Sequence, residues 1–209
     1  MTLVTRTIPI DPVAPERRAL CEAASVLRGG GLVAFPTETF YGLGAGALHP
    51  AAVRRVFEVK GRPEGKPLLV LVGSIAMVAT VALEVPARGR ELMADYWPGA
   101  LTLVLRARPE VPVEVTAGSG TVGVRLSAHP VARALVRAFG EAVTAPSANP
   151  SGRSAPTTAA QVRGYFQGRI ELVLDGGATA GGAPSTVLDV TVDPPRVVRA
   201  GAVRLSRCG

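Results

Sequence analysis

Apolar positions along the chain switch between a helical and a strand-like spacing, and the switches divide it into short elements. Leu20, Ala23, Ala24 and Leu27 share one helical face, which predicts a helix over 15–28 ended by Gly29-Gly30-Gly31. Residues 32–35 read as a short apolar strand cut by Pro36. After a polar loop, Val53, Val56 and Phe57 restore the helical period over 50–59. A buried strand over 68–72 follows, then helices over 74–83 and 87–96, the second closed by Trp97-Pro98-Gly99. Farther on, 101–107 and 121–126 have strand character, 130–139 is a helix and 142–145 a strand. A helix over 157–166 starts at Thr157, and strands are expected over 172–174, 186–191 and 196–199. Helices and strands interleave without a strict βαβ period. The expected fold class is therefore α/β of the α+β type, a single domain over 1–209 with a mixed β-sheet flanked by helices.

Composition narrows the class. A chain of 209 residues can bury a core of its own, and with 47% hydrophobic but only 4% aromatic residues that core is expected to consist of Ala, Val and Leu. No apolar run is long enough to span a bilayer, and the N-terminal residues lack the basic-then-apolar layout of a secretory leader. Cys21 and Cys208 have no CxxC partner, which excludes a disulfide framework and a thiolate zinc site. Together these features point to a cytoplasmic protein with no membrane partner. The net charge is +7. Such a balance favours polyanionic ligands, nucleotide phosphates or an RNA backbone, but scattered surface arginine gives the same sum, so position has to decide.

Four segments have a composition that core packing does not require. Residues 36–44, PTETFYGLG, leave a strand end and offer hydroxyls at Thr37, Thr39 and Tyr41 beside two glycines that admit close backbone approach. A hydroxyl-rich turn would look the same. Residues 60–67 place Lys60, Arg62 and Lys66 in a loop stiffened by Pro63 and Pro67. Arg supplies a fork for phosphate or carboxylate and Lys a compact charge, although a Lys at a helix end is also favourable with the dipole. Residues 145–153 offer Ser147, Asn149, Ser151 and Arg153 in an irregular stretch, where ordinary turn chemistry is the alternative. Last, Ser185 and Thr186 open a strand and Arg199 closes the following one. Arg125 sits at the end of an apolar strand and needs a partner, either a bound anion or an acid such as Asp175 or Asp189.

Other catalysts find little support. His49 and His129 each precede a proline at an expected helix start, which suits capping. No metal-ligand spacing, Ser/His/Asp set, GxGxxG or GxxxxGK[ST] occurs, so any ATP site is of a non-Walker kind. Positioning and electrostatic stabilisation remain, which is how nucleotidyl chemistry generally works.

Taken in order, PTETFYGLG, Lys60-Gly61-Arg62 with the following RPEGKPL, YWPGALTLVL over 96–105, TVGVR over 121–125, Ser147-Ala148-Asn149, Pro184-Ser185-Thr186 and Arg199-Ala200-Gly201 resemble the YrdC-like family of threonylcarbamoyl-AMP synthases, in its short form. The resemblance implies a single domain with a twisted mixed sheet and a positively charged concave groove. It also implies the joining of L-threonine, bicarbonate or CO2, and ATP into threonylcarbamoyl-AMP with release of pyrophosphate, for threonylcarbamoyladenosine in tRNA. By motif, Lys60 and Arg62 would be catalytic and grip the triphosphate, and Thr121, Ser147, Asn149, Thr157 and Arg199 would complete the ATP site. Thr37, Arg125 and Ser185 would hold L-threonine. Mg²⁺ would arrive with ATP, with no protein metal site. tRNA and downstream threonylcarbamoyl-transfer proteins are implied partners. Two alternatives stand beside this. One is an RNA-binding module, favoured by the +7 charge and opposed by the scarcity of aromatics; the other is a paralogue adenylating a different carbamoyl substrate.

Overall fold

The computed structural model describes residues 3–63 and 65–205. Strand β1 (Arg6–Pro9) leads to helix α1 (Arg17–Arg28), whose buried face is Ala19, Leu20, Ala23, Ala24 and Leu27, the face expected from the spacing. Strands β2 (Val33–Pro36) and β3 (Tyr41–Gly44) form an antiparallel pair, followed by α2 (Pro50–Lys60) and β4 (Leu69–Leu71). A 3-10 turn (Ala76–Thr80), α3 (Ala87–Tyr96), β5 (Leu101–Arg106) and the short α4 (Val113–Thr116) come next. The chain continues through β6 (Thr121–Arg125), α5 (Pro130–Phe139), β7 (Val143–Thr144) and α6 (Ala159–Phe166) to β8 (Leu172–Asp175), β9 (Thr186–Asp189) and β10 (Arg196–Arg199).

The strands form two mixed sheets where one was expected. One has the order β1-β8-β2-β3 and the other β10-β9-β5-β6-β4-β7. They meet where β3 passes β7, and the seam is irregular. The Thr144 hydroxyl accepts the Ala45 amide at 3.0 Å and donates to the Leu43 carbonyl at 3.2 Å, so a side chain does there what a backbone ladder does elsewhere. Gly44 makes this approach possible, since a Cβ there would lie 2.8 Å from the Val143 methyl and 2.7 Å from the Phe35 ring.

Strand alternation distributes the core on both faces of the first sheet. Leu32 and Ala34 join one cluster with α2 and β5, while Val33 and Phe35 join the other with α1 and α5. Helix α5 begins with Pro130 at its first turn, and the His129 ring accepts the Val131 amide at 3.2 Å, the capping role expected of it. His49 makes no such cap. Its ring instead meets Glu141 at 3.1 Å and packs edge-on against Phe139.

Other departures have local causes. The helix expected over 74–83 is a single 3-10 turn over Ala76–Thr80, of which only Val78 is buried. The polar loop expected after Pro36 contains β3, whose four residues are all buried. Helix α6 starts after Thr158, which forms a capping box with Gln161, so Thr157 lies outside it.

Candidate active site

The six-stranded sheet has one apolar face and one open face. Leu101, Leu103, Leu105, Val122, Val124 and Leu188 point into the core. Their alternates, Thr102, Val104, Thr121, Gly123, Arg125, Val187 and Asp189, line a cavity of about 690 Å³. Gly123 leaves the middle of this floor bare; a Cβ there would come within 3.3 Å of the Thr102 methyl. The walls are the turn after β2 (Thr37, Thr39, Phe40), Arg62 and Lys66 from the loop after α2, Ser147, and Ser185, Arg196 and Arg199 from the last two strands.

Of the ten residues expected to bind substrates, seven line this cavity: Thr37, Arg62, Thr121, Arg125, Ser147, Ser185 and Arg199. Lys60, Asn149 and Thr157 are not among its lining residues. Lys60 is only 3% exposed, and its ammonium donates to the carbonyl oxygens of Ser147 and Asn149 at 2.5 Å each. Burial, and then the nearby Arg62 charge, push its pKa down to about 8. Lys60 thus braces the 147–149 loop from outside the cavity lining. Asn149 donates to the carbonyls of Pro150 and Arg153, and its Oδ1 is buried without a hydrogen-bond partner. Thr157 is tied through its amide to the Gln161 side chain at 2.7 Å.

The guanidinium groups are held by oxygen atoms of the chain. Arg62 donates to the carbonyls of Pro67 at 2.9 Å and Lys66 at 3.3 Å. Arg199 grips Ser185 three times: Nη2 and Nε reach its carbonyl at 2.8 and 3.2 Å, and Nη2 its hydroxyl at 3.0 Å. Ser185 Oγ in turn lies 2.9 Å from Thr102 Oγ1. Burial works against the charge of both arginines, and Arg199 adds to that effect on Arg62.

Arg125 is a different case. Its side chain is 4% exposed and its partner is neither Asp175 nor Asp189 but Glu38, 3.4 Å away. Asp189 is engaged with Arg196 and with Thr191, and Asp175 accepts the Gly177 amide. Thr102 in the cavity floor, Arg196 in its wall and Glu38 behind Arg125 are residues that sequence reasoning did not single out. Glu38 and Thr102 each carried a signal: an acid in a hydroxyl-rich turn close to a lone buried arginine, and a polar residue inside an apolar strand. Among the described residues no three His, Cys, Asp or Glu side chains gather as metal ligands. Nor is any described helix long and apolar enough to cross a membrane.

The model of the Sua5, YciO and YrdC family, described as telomere recombination, matches residues 25–201, which takes in every element that lines the cavity. The chain belongs to the Sua5/YciO/YrdC family. Within it, the threonylcarbamoyl-AMP synthase of Pyrococcus abyssi is 46% identical over 183 residues, 88% of this chain and 54% of its own length. That of Bacillus subtilis is 42% identical over 194 residues, 92% of this chain and 56% of its own length. The chain therefore spans about half the length of these two relatives. The crystal structure of P. abyssi Sua5 complexed with L-threonine superposes with a TM-score of 0.91 at 44% identity, over 94% of this chain and 58% of the other. The α/β fold read from the sequence is thus the family's fold, with its mixed strands divided between two sheets.

Proposed function

We propose that this chain is an ATP-dependent nucleotidyltransferase that makes L-threonylcarbamoyl-AMP from L-threonine, bicarbonate or CO2, and ATP, and releases pyrophosphate. The observation that carries this reading is a single cavity lined by three arginines whose charges are balanced in different ways. Arg62 and Arg199 hang on carbonyl oxygens, and Arg125 is paired with Glu38. Two anions must meet in this reaction. The threonine amine adds to CO2, forming an N–C bond and losing a proton. A carbamate oxygen then attacks the α-phosphorus, and the bond to the β-phosphate breaks as pyrophosphate leaves.

No protein nucleophile is needed, so the residues contribute by orientation and charge. Arg62 and Arg199 stabilise the negative charge that grows on the leaving pyrophosphate; a Mg²⁺ arriving with ATP would add to that neutralisation. Arg125 takes the threonine carboxylate, while Thr37 and Ser185 hold the rest of that substrate. Thr121, Ser147 and Thr157 border the nucleotide, and Lys60 and Asn149 support the 147–149 loop beside it. Through its product the chain would serve tRNA threonylcarbamoylation in the cytoplasm, together with the proteins that consume the intermediate.

The test is pyrophosphate release measured with each substrate omitted in turn. Release that requires threonine, bicarbonate and ATP together, and that is lost in Arg62→Ala with the fold intact, supports the assignment. Release independent of threonine, or wild-type turnover in Arg62→Ala, refutes it. Tight tRNA binding without any release would instead favour an RNA-binding role.

A further inference from the structure

The arginines around the cavity differ in how their charge is balanced. Among the described residues no carboxylate lies within ion-pair distance of Arg62 or Arg199; their hydrogen bonds go to the carbonyls of Lys66, Pro67 and Ser185 and to the Ser185 hydroxyl. Arg125 faces the same space, but Glu38 Oε1 stands 3.4 Å from its Nη1. The other carboxylate oxygen of Glu38 receives the Ser127 hydroxyl, whose oxygen accepts the His129 amide at the start of α5. Glu38 is itself absent from the cavity lining, so it touches the space only through Arg125. Both partners keep a buried atom with no hydrogen bond, Glu38 Oε1 and Arg125 Nε. The pair is thus held by charge and not by a complete set of hydrogen bonds.

We propose that Glu38 sorts the two anionic substrates between the arginines: by neutralising Arg125 it reserves that guanidinium for a single carboxylate and leaves polyphosphate to Arg62 and Arg199. This rests on the synthase reading above. A polyphosphate beside a net-neutral pair gains little attraction from the arginine and is repelled by the acid behind it. A lone carboxylate needs only the fork's donors, and an amino acid's ammonium is drawn toward the same acid. Glu38 is then a positioning and specificity residue acting through Arg125. Without it, the site would present one more bare cation to the triphosphate, and ATP or pyrophosphate could occupy the threonine end.

The full chain is compared with Glu38→Gln and with Ser127→Ala, which removes only the tether, in two measurements. One is calorimetric titration with sodium pyrophosphate; the other is ATP-consumption kinetics at varied threonine and pyrophosphate. In Glu38→Gln, pyrophosphate binding tightens about tenfold, the threonine KM rises by a similar factor, and the ATP KM stays in place. Pyrophosphate becomes a competitor of threonine, and Ser127→Ala moves in the same direction to a smaller extent. Should Glu38→Gln fail to fold, Ser127→Ala carries the test. The proposal is overturned if pyrophosphate affinity is unchanged in the folded variants, or if the threonine and ATP KM values rise together as general loosening would make them. A wild-type chain with no threonine-dependent ATP consumption would strike down the synthase reading instead. The pyrophosphate titration needs no turnover, so it still decides the charge sorting.

Discussion

The Lys60 ammonium donates at 2.5 Å to the Asn149 carbonyl, and so ties the last turn of α2 to the loop that follows β7. The Ser151 amide returns the bond to the Lys60 carbonyl at 2.7 Å. A cation at a helix end is favourable with the dipole, but here its burial opposes the charge and brings its pKa down to about 8. The sign of the pH effect follows. Below pH 8 Lys60 is protonated in both folded and unfolded chains, and the cost of burying its charge is fully present. Between about 8 and the ordinary value of 10.5 the unfolded chain holds more protons, so stability rises with pH. Denaturant unfolding of wild type and Lys60→Met from about pH 7.5 to about 9.5 isolates this, since other groups cancel. The wild type should gain on the variant as pH rises, and a constant difference would show an unperturbed lysine.

Thr144 closes the seam between the sheets with both capacities of its hydroxyl, toward Ala45 N and Leu43 O. Thr144→Val keeps the shape and leaves both backbone groups buried without that partner. The expected loss is about 1–3 kcal/mol of unfolding free energy, read from denaturant midpoints at unchanged slope. A neutral result would mean that the neighbouring backbone bonds carry the seam alone.

How far these features could be read in advance depends on the range over which each is encoded. The buried face of α1 is written in a local period, and Leu20, Ala23, Ala24 and Leu27 are buried as that period predicts. Strand β3 was hidden because Gly42 and Gly44 carry no β signal, and their smallness matters only against Phe35 and Val143. The cations of the site were legible as residue types in punctuated loops. Their separate tasks were not, because each task is set by a distant partner. Lys60 differs from Arg62 by carbonyls 87 and 89 residues away, and Arg125 from Arg199 by Glu38. The two histidines make the same point. Both stand before a proline, yet only His129 caps its helix, because Glu141 draws the other ring away.

Gly123 holds the floor of the cavity open between Thr102 and Leu69. A Cβ there lies 3.3 Å from the Thr102 methyl, so the smallest substitution already fills the floor at the cost of a slight shift of Thr102. Gly123→Ala is expected to weaken ATP or threonine binding by about tenfold, with the fold retained and a small fall in melting temperature. Calorimetric titration beside a thermal melt checks both halves. Unaltered binding would place the substrates elsewhere.

Arg62 and Arg199 share a charge but are held differently. Arg62 only folds back on its own loop, through the carbonyls of Lys66 and Pro67. Arg199 uses two nitrogens on the Ser185 carbonyl and also reaches the Ser185 hydroxyl, which is the group that meets Thr102. A lysine can replace a point charge but not this fork. Arg62→Lys should therefore raise the ATP KM and leave the threonine KM alone. Arg199→Lys should raise both, since Ser185 loses its clamp along with the phosphate end losing a guanidinium. Each lost charge-assisted contact corresponds to about tenfold or more in KM. Steady-state kinetics with each substrate varied separates the two variants, and identical profiles would show that the Ser185 clamp has no part in holding threonine.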